Sequence, residues 1–385
     1  AFDLIWIDCL NGDKYKTGKV TPEGTPDPSI FSTEWNREGI QVGTSIALLV
    51  RKDNHAPVEA IHFRHLWGTA KRAELLAAAR QNGKTPYQTQ KPTSSLGLPF
   101  LPTRPTADFP TWPTVPEIFP LSFPGVETGR DAFAVDIDRA NLVRRMEKYF
   151  DPQVSHEDLR RVAPGALDSN ARFDAVKGRE YLLKRGFLRN NIQRYYYRPF
   201  DLRWLYWEPD TKLLDEKRRD YHYQVNDNTP FLFTTGRTRK ALAEPAIITS
   251  LLVDRNCMDS GSRGFPLNVS ADSGIMFQVD ENHNQRPNLS PSALRYLEAV
   301  DGAAADLFSH SLGVLSSAAY RRENTDAIRH DWPRIPLPAS GEALRASASL
   351  GRKVSALLDT EQGVAGVTDG TVRPELQSIG SYARS

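Results

Sequence analysis

The chain has 385 residues, of which 39% are hydrophobic and 25% charged, and its net charge is +2. That composition belongs to an ordinary globular protein, and the length predicts two or three domains. It excludes a globally basic packaging protein, and no stretch approaches the roughly 18 to 20 apolar residues of a membrane-spanning helix. No charged segment precedes an apolar one at the start, so secretion is not expected and no membrane partner is predicted. The two cysteines, Cys9 and Cys257, cannot form a disulfide framework or a paired-cysteine zinc site, and they fit a reducing cytoplasm. The chain opens inside a strand-like run, which predicts that it is the downstream part of a longer protein.

Phe2 to Asp8 is a near-continuous apolar run ending in the turn-forming Asn11-Gly12. Ile40 to Val50 is a second run rich in β-branched residues, and Val58 to Leu66 a third. Such runs suit strands covered on both faces. Thr69 to Arg80 reads as a helix stopped near Gly83. Residues 84–124 are dense in proline with Phe, Trp and Leu between. Proline fixes φ and removes donors, so neither a helix nor a central strand is expected. An extended segment on the surface between two domains is predicted. A helical period returns from Asp136 to Phe150, with Leu142, Met146 and Tyr149 on one face. Residues 172–190 form another helix with Gly186 near its C-terminus. Residues 192–280 are strand-rich, residues 290–330 and 341–358 read as helices, and the tail after Gly363 is expected to fray.

Several chemistries are missing. The chain has 25 glycines, yet no two are spaced as Gly-x-Gly, and it has neither a phosphate loop nor a Pro-Pro dipeptide. A dinucleotide or S-adenosylmethionine site on a Rossmann-like sheet needs glycines where backbone meets ligand. A self-contained nucleotide-dependent enzyme is therefore not expected. His62 and His65 lie three apart in a strand, which puts them on opposite faces and argues against a metal pair. Asp215-Glu216-Lys217, near Asp210, reads better as a solvated charged turn than as a nuclease core, which separates Glu and Lys by one residue. No nucleophile elbow occurs. No catalytic or metal-ligating residue is assigned.

The densest feature is Gln193 to Trp207, where arginine alternates with tyrosine, tryptophan and phenylalanine. Residues 177–219 hold twice as many basic as acidic residues, including Lys177, Arg179, Lys184, Arg185, Arg189 and Arg219. Guanidinium groups contact phosphates and guanine edges, and aromatics stack on bases or fill the scaffold beneath. The region as a whole therefore points to nucleic-acid contact. The alternative is structural: aromatics in the core, and an internal ion pair between Arg198 and Asp201. A second basic cluster is Arg237, Arg239 and Lys240, and Arg255 and Arg263 follow on turn-like sequence. The candidate DNA-contacting residues are Arg194, Tyr196, Arg198, Arg203, Lys212, Lys217, Arg218, Arg237, Arg239, Lys240 and Arg263.

These blocks, in this order, resemble the C-terminal part of Type ISP restriction–modification enzymes. Tyr197-Arg198-Pro199-Phe200-Asp201-Leu202-Arg203 is the most specific of them. Phe2 to Gly12, Gly39 to Ala47, Gly125 to Asp131, Phe265-Pro266-Leu267 and Asp331 to Pro338 accompany it. The resemblance covers nearly all of residues 1–360. It implies a fragment of α/β plus α+β class: a partial Rossmann-like methyltransferase sheet, then a mixed α+β DNA-recognition domain with C-terminal helices. The implied boundaries are 1–83 for the last methyltransferase strands, 84–124 for a proline-rich linker, 125–360 for target recognition and 361–385 for a flexible tail.

The family's cofactor and catalytic motifs lie upstream, so no catalytic residue carries over to this chain. The resemblance implies sequence-specific recognition of double-stranded DNA for an adenine-N6 methyltransferase, one component of phage defence. S-adenosylmethionine would serve the complete enzyme and not this chain. The upstream methyltransferase and translocase portion would be a partner, in cis or in trans. The competing readings are one part of a split active methyltransferase, and a protein-interaction or structural module without DNA contact.

Overall fold

The structure is a computed structural model. It describes residues 2–80, 84–92, 100, 106–226, 229–236, 246–258, 261–270, 285–329, 331–359 and 361–367. Among these residues no helix is long and apolar enough to cross a membrane.

The first sheet is built from β1 (Leu4–Asn11), β2 (Thr44–Val50), β3 (Ile61–His65) and β4 (Gln88–Gln90), in the order β2-β1-β3-β4. Helix α1 (Lys71–Ala79) lies between β3 and β4 in sequence. β3 runs parallel to β1, while β2 and β4 are antiparallel to their neighbours. Ile5, Ile7, Ile61 and Phe63 form its small core. One buried carboxylate organises the connections. Asp27 accepts from the Gly12 and Gly68 amides, each at 2.7 Å, and from Lys71 Nζ at 2.6 Å. Lys71 also donates to the Leu10 carbonyl at 2.8 Å, so the start of α1 is pinned to the end of β1.

β2 corrects the expectation of strands covered on both faces. Its Ile46, Leu48 and Leu49 are exposed. Neighbouring residues of a strand point to opposite faces, so exposure of both Leu48 and Leu49 leaves both faces bare. The strand sits at the edge of its sheet, and among the described residues its side chains are left mostly exposed.

The proline-rich segment also departs from expectation. Its second half is core: Phe109, Val115, Ile118 and Phe119 are all buried. Val115–Ile118 is a helical turn (α2), despite Pro116. Proline is tolerated in a first turn because the amide it lacks has no helical acceptor there. Thr114 and Glu117 close a reciprocal capping box around that turn.

The rest of the chain runs β5 (Phe123–Pro124), α3 (Asp131–Ala134), β6 (Val135–Asp136), α4 (Arg139–Tyr149), α5 (His156–Val162), α6 (Ala175–Arg185), β7 (Ile192–Arg198) and β8 (Asp201–Tyr206). Then come α7 (Arg219–Gln224), β9 (Phe231–Thr235), β10 (Ile247–Thr249), β11 (Leu252–Val253), β12 (Ser262–Pro266), β13 (Asn268–Ser270) and β14 (Gln285–Pro287). The chain closes on α8 (Pro291–Val300), α9 (Ala304–Ser316), α10 (Ala318–Glu323), α11 (Thr325–Ile328) and α12 (Gly341–Leu358). Two four-stranded sheets have the orders β10-β9-β12-β5 and β11-β7-β8-β6, and β13 pairs with β14. The architecture is mixed α/β, with several small sheets.

Two apolar clusters hold these elements. The first joins α4, α6 and the β7–β8 sheet, and Leu142, Met146 and Tyr149 of α4 are fully buried in it. The second joins α2, α8, α9 and α12. α9 and α12 approach closely where Gly313 meets Gly351, and a methyl group on Gly351 would lie 1.7 Å from the Ser309 carbonyl. His310 of α9 completes that layer. Its Nε2 donates to the Pro336 carbonyl and its Nδ1 accepts from the Ser347 hydroxyl, both at 2.7 Å.

The β7–β8 hairpin closes with Arg198 opposite Asp201 and Pro199-Phe200 as its turn. Phe200 has φ +62° and is 52% exposed. A left-handed backbone costs an L-residue about 1–2 kcal/mol and suits glycine. Phe200→Gly should therefore stabilise the chain by about 1 kcal/mol, part of the gain being offset by the entropy of glycine in the unfolded state. A urea midpoint unchanged or lowered would contradict this.

His222 of α7 stacks on Trp207 with ring centroids 3.7 Å apart. Burial lowers its pKa to about 4, against an ordinary value near 6.5. The fold prefers the neutral ring, so its contribution is intact above pH ~6.5 and is lost as pH falls towards 4. His222→Gln should flatten the pH dependence of stability across that window, read as the difference from wild type in urea unfolding at each pH.

Candidate nucleic-acid interface

The hairpin that carries Arg194, Tyr196, Arg198 and Arg203 is a buried scaffold with charged edges. Tyr195, Tyr196 and Tyr206 are core residues. Tyr196 is only 2% exposed, so its ring is not offered to a base. Tyr197 is half-buried and lies between two guanidinium groups, Arg198 at 3.9 Å and Arg203 at 4.1 Å from its ring centre. Its hydroxyl donates to Asp131 at 2.8 Å. Trp204 is flanked in the same way by Arg194 at 5.0 Å and Arg139 at 5.4 Å. Arg139 was not among the sequence candidates. It lies on α4, outside the aromatic run, and only the packing of α4 on β8 brings it to Trp204.

The arginines at these edges are paired. Arg198 donates to Asp254 at 2.8 Å, and Tyr195 donates to the same carboxylate at 2.8 Å. Burial raises the pKa of Asp254, and it raises that of Tyr195 well above the usual phenol range. Arg203 forks onto Asp201, with its shortest bond at 2.7 Å. The structural alternative of an Arg198–Asp201 pair thus has its partners exchanged: Asp201 takes Arg203, and Arg198 takes Asp254 from a distant loop. Arg194 is paired with Glu361 beyond α12. Arg255 is paired with Glu127.

Other basic residues of the region act as internal braces. Arg179 is buried and donates to the carbonyls of Tyr149, Asp151 and Val154, each at 2.9 Å. It thereby satisfies acceptors left open at the end of α4. Arg185 forks onto the fully buried Glu208 at 2.8 and 2.9 Å and reaches Asp210 at 2.8 Å. Arg130 crosses the loops at Asp168, Leu213 and Asp215, with contacts of 3.0–3.1 Å.

The segment that runs into α7 lines an open cleft of about 430 Å³, where Lys212, Lys217, Arg218 and Arg219 share the wall with four carboxylates, Asp210, Asp215, Glu216 and Asp220. Lys212 is exposed. Lys217 donates to the Pro209 carbonyl at 2.6 Å, and burial followed by the charge of Arg219 lowers its pKa. Arg218 has φ +52° and lies 3.7 Å from Glu216. Asp215 and Glu216 are thus not a free solvated turn: they hold Arg130 at 3.1 Å and Arg172 at 3.5 Å. Arg263 is on β12, where it donates to the Ser122 hydroxyl at 2.7 Å and carbonyl at 2.6 Å. Arg237, Arg239 and Lys240 lie outside the described residues. The structure therefore gathers Arg194, Arg198 and Arg203 on one hairpin and Lys212, Lys217 and Arg218 on one loop, with Arg263 on a separate sheet. Among the described residues no group of three or more His, Cys, Asp or Glu side chains is placed to hold a metal ion.

The sequence model of the Type ISP C-terminal specificity domain matches residues 117–374. No curated protein matches the chain. In fold the chain is similar to a nuclease-deletion mutant of the Type ISP restriction-modification enzyme LlaGI in complex with a DNA substrate mimic. That similarity has a TM-score of 0.60 and 18% identity, and covers 95% of this chain and 28% of the other. It is similar to DrdV in a DNA complex at TM-score 0.63 and 17% identity, over 94% of this chain and 36% of the other. The ATP-dependent Type ISP enzyme LlaBIII bound to DNA gives 0.62 and 16%, over 94% of this chain and 24% of that one. The chain spans about a quarter to a third of the length of these proteins. The hairpin block lies within the matched region, and by this signature the chain belongs to the Type ISP C-terminal specificity domain family.

Proposed function

We propose that this chain reads the sequence of double-stranded DNA for an adenine-N6 methyltransferase of a restriction–modification enzyme. The observation that carries the reading is the specificity-domain signature over residues 117–374. In support, the three solved proteins of similar fold are described in complex with DNA or a DNA mimic. In this reading loop cations set the register on the phosphates, and polar side chains at loop and hairpin edges read the major groove. One bidentate arginine–guanine contact discriminates by about 1–3 kcal/mol, so a few would specify a short site.

We assign residues 1–83 to the last strands of a Rossmann-like methyltransferase sheet, and residues 125–360 to target recognition. The parallel β1–β3 pair followed by α1 supports the first assignment. So does the bare edge of β2, because an open apolar edge is a place for another strand. The upstream methyltransferase and translocase portion, in cis or in trans, would supply that strand. S-adenosylmethionine would sit with that upstream portion. Gly12, directly after β1, is filled by its own loop: a Cβ there would meet Ser29 Cα at 2.8 Å. In this reading no chemical step is assigned to the residues of this chain.

A second reading is a structural or interaction module without DNA contact. The pairing of Arg194, Arg198 and Arg203 with carboxylates favours it.

Selection from a randomised duplex pool separates the two. The first reading expects one short sequence to be enriched, with log affinity falling by about 0.9 per phosphate contact for each unit of log salt. A folded chain that binds no duplex at low salt would sink it. The sheet assignment has its own check. Ile46→Lys with Leu48→Lys should change the stability of the isolated chain by less than about 0.5 kcal/mol, because both sites are exposed. The same pair should abolish association with the upstream portion of the protein, and unchanged co-purification would refute the assignment.

A further inference from the structure

Two cations in the Glu208–Asp220 loop converge on one neutral oxygen. Lys217 Nζ donates to the Pro209 carbonyl at 2.6 Å, and Arg219 Nη2 donates to the same atom. The left-handed backbone of Arg218 lies between them and lets both side chains turn back to one point. The loop backbone is fixed around this pair. Trp207 Nε1 donates to the Lys217 carbonyl at 2.8 Å, and the Glu216 amide donates to the Glu127 carbonyl at 2.9 Å.

Four of the five carboxylates in this segment are engaged elsewhere: Glu208 and Asp210 hold Arg185, Asp215 holds Arg130, and Glu216 lies against Arg172 and Arg218. The fifth, Asp220, is exposed at the cleft. Among the described residues none of the first four is ion-paired with Lys212, Lys217 or Arg219. Like charges held together at a carbonyl repel one another, and an anion placed between them removes that repulsion. Burial lowers the Lys217 pKa most, Arg219 adds to that, and Glu208 and Asp210 act against it. The cleft at this point is about 430 Å³ and open to solvent, so an extended strand can enter it.

We propose that Lys217 and Arg219 seat one phosphate oxyanion of the DNA backbone in this cleft, with Lys212 at its rim. This rests on the DNA-recognition reading and gives it a positioning contact: a phosphate clamp fixes register and carries no sequence information. Arg194, Arg198 and Arg203, each already paired, would contribute less to the salt-dependent part of binding.

The test compares the full chain with Arg219→Gln, with Lys217→Met plus Arg219→Gln, and with the charge-retaining Lys217→Arg. Fluorescence anisotropy with a duplex between 50 and 200 mM salt gives the slope of log affinity on log salt. Each lost phosphate contact is worth roughly 0.9 of slope. One shared phosphate therefore predicts a slope shallower by about 1 for both neutralising variants, equal loss on every sequence, and no change in the enriched site. Lys217→Arg should keep the wild-type slope. The second probe is inorganic phosphate, which should raise the melting temperature of wild type and leave the double variant unmoved. A chain that binds no duplex, yet keeps a phosphate response that the variants lose, would overturn DNA as the source and leave an oxyanion seat for a free phosphate compound. An Arg219→Gln variant with the wild-type slope and the wild-type phosphate response would overturn the seat itself. Arg219 is exposed, so that variant is expected to fold.

Discussion

A guanidinium has five donors and no acceptor, and burying one requires that its hydrogens find oxygen. The middle of this chain is organised by that requirement. Arg179 has no carboxylate partner among the described residues and is satisfied by the carbonyls at and beyond the end of α4. The Tyr149 carbonyl lies at the negative end of the helix dipole, so it offsets charge as well as satisfying a donor. Arg185 satisfies Glu208, which is fully buried and would be strongly destabilising alone. Arg130 ties three stretches of chain that share no regular secondary structure. Removing any of the three would leave buried acceptors open, so the loops they brace are parts of the fold and not ornaments on it.

The same arithmetic sorts the cations into two kinds. A charge held by a carboxylate must exchange that partner for a phosphate before it can add to binding, and the exchange recovers little. Arg198 and Arg203 are in this class, stacked on Tyr197 and tied to Asp254 and Asp201. Their planes and donors are held in place. Lys217 and Arg219 are in the other class, facing a carbonyl and each other. Sequence composition alone treats the two kinds alike, because it counts charges and not the partners that neutralise them.

That distinction marks how far the sequence was legible. Periodicity placed α4 with Leu142, Met146 and Tyr149 inward, gave α12 its bounds, and marked Gly186 as the end of α6. Those are local signals, and local physics decides them. The proline-rich segment misled because proline density was read without the capping residues. Thr114 and Glu117 allow a helical turn that buries Val115 and Ile118. β2 misled because its composition is that of a covered strand, while five of its seven residues are exposed. The exchange of partners between Arg198 and Asp201 was invisible because Asp254 lies 56 positions away in sequence. Arg139 was invisible for the same kind of reason, since only the packing of α4 on β8 brings it to Trp204.

The turn of the β7–β8 hairpin shows why local rules fail where they do. A glycine or asparagine at position 200 would relieve the left-handed backbone, and the chain carries phenylalanine there. The hairpin still closes, because Arg198 and Asp201 are each anchored by a second charge and both strands are buried behind them. The sheet is thus stable enough to hold a turn residue that its own propensity opposes. The cost of the left-handed turn is offset by those two ion pairs and by the buried tyrosines behind them.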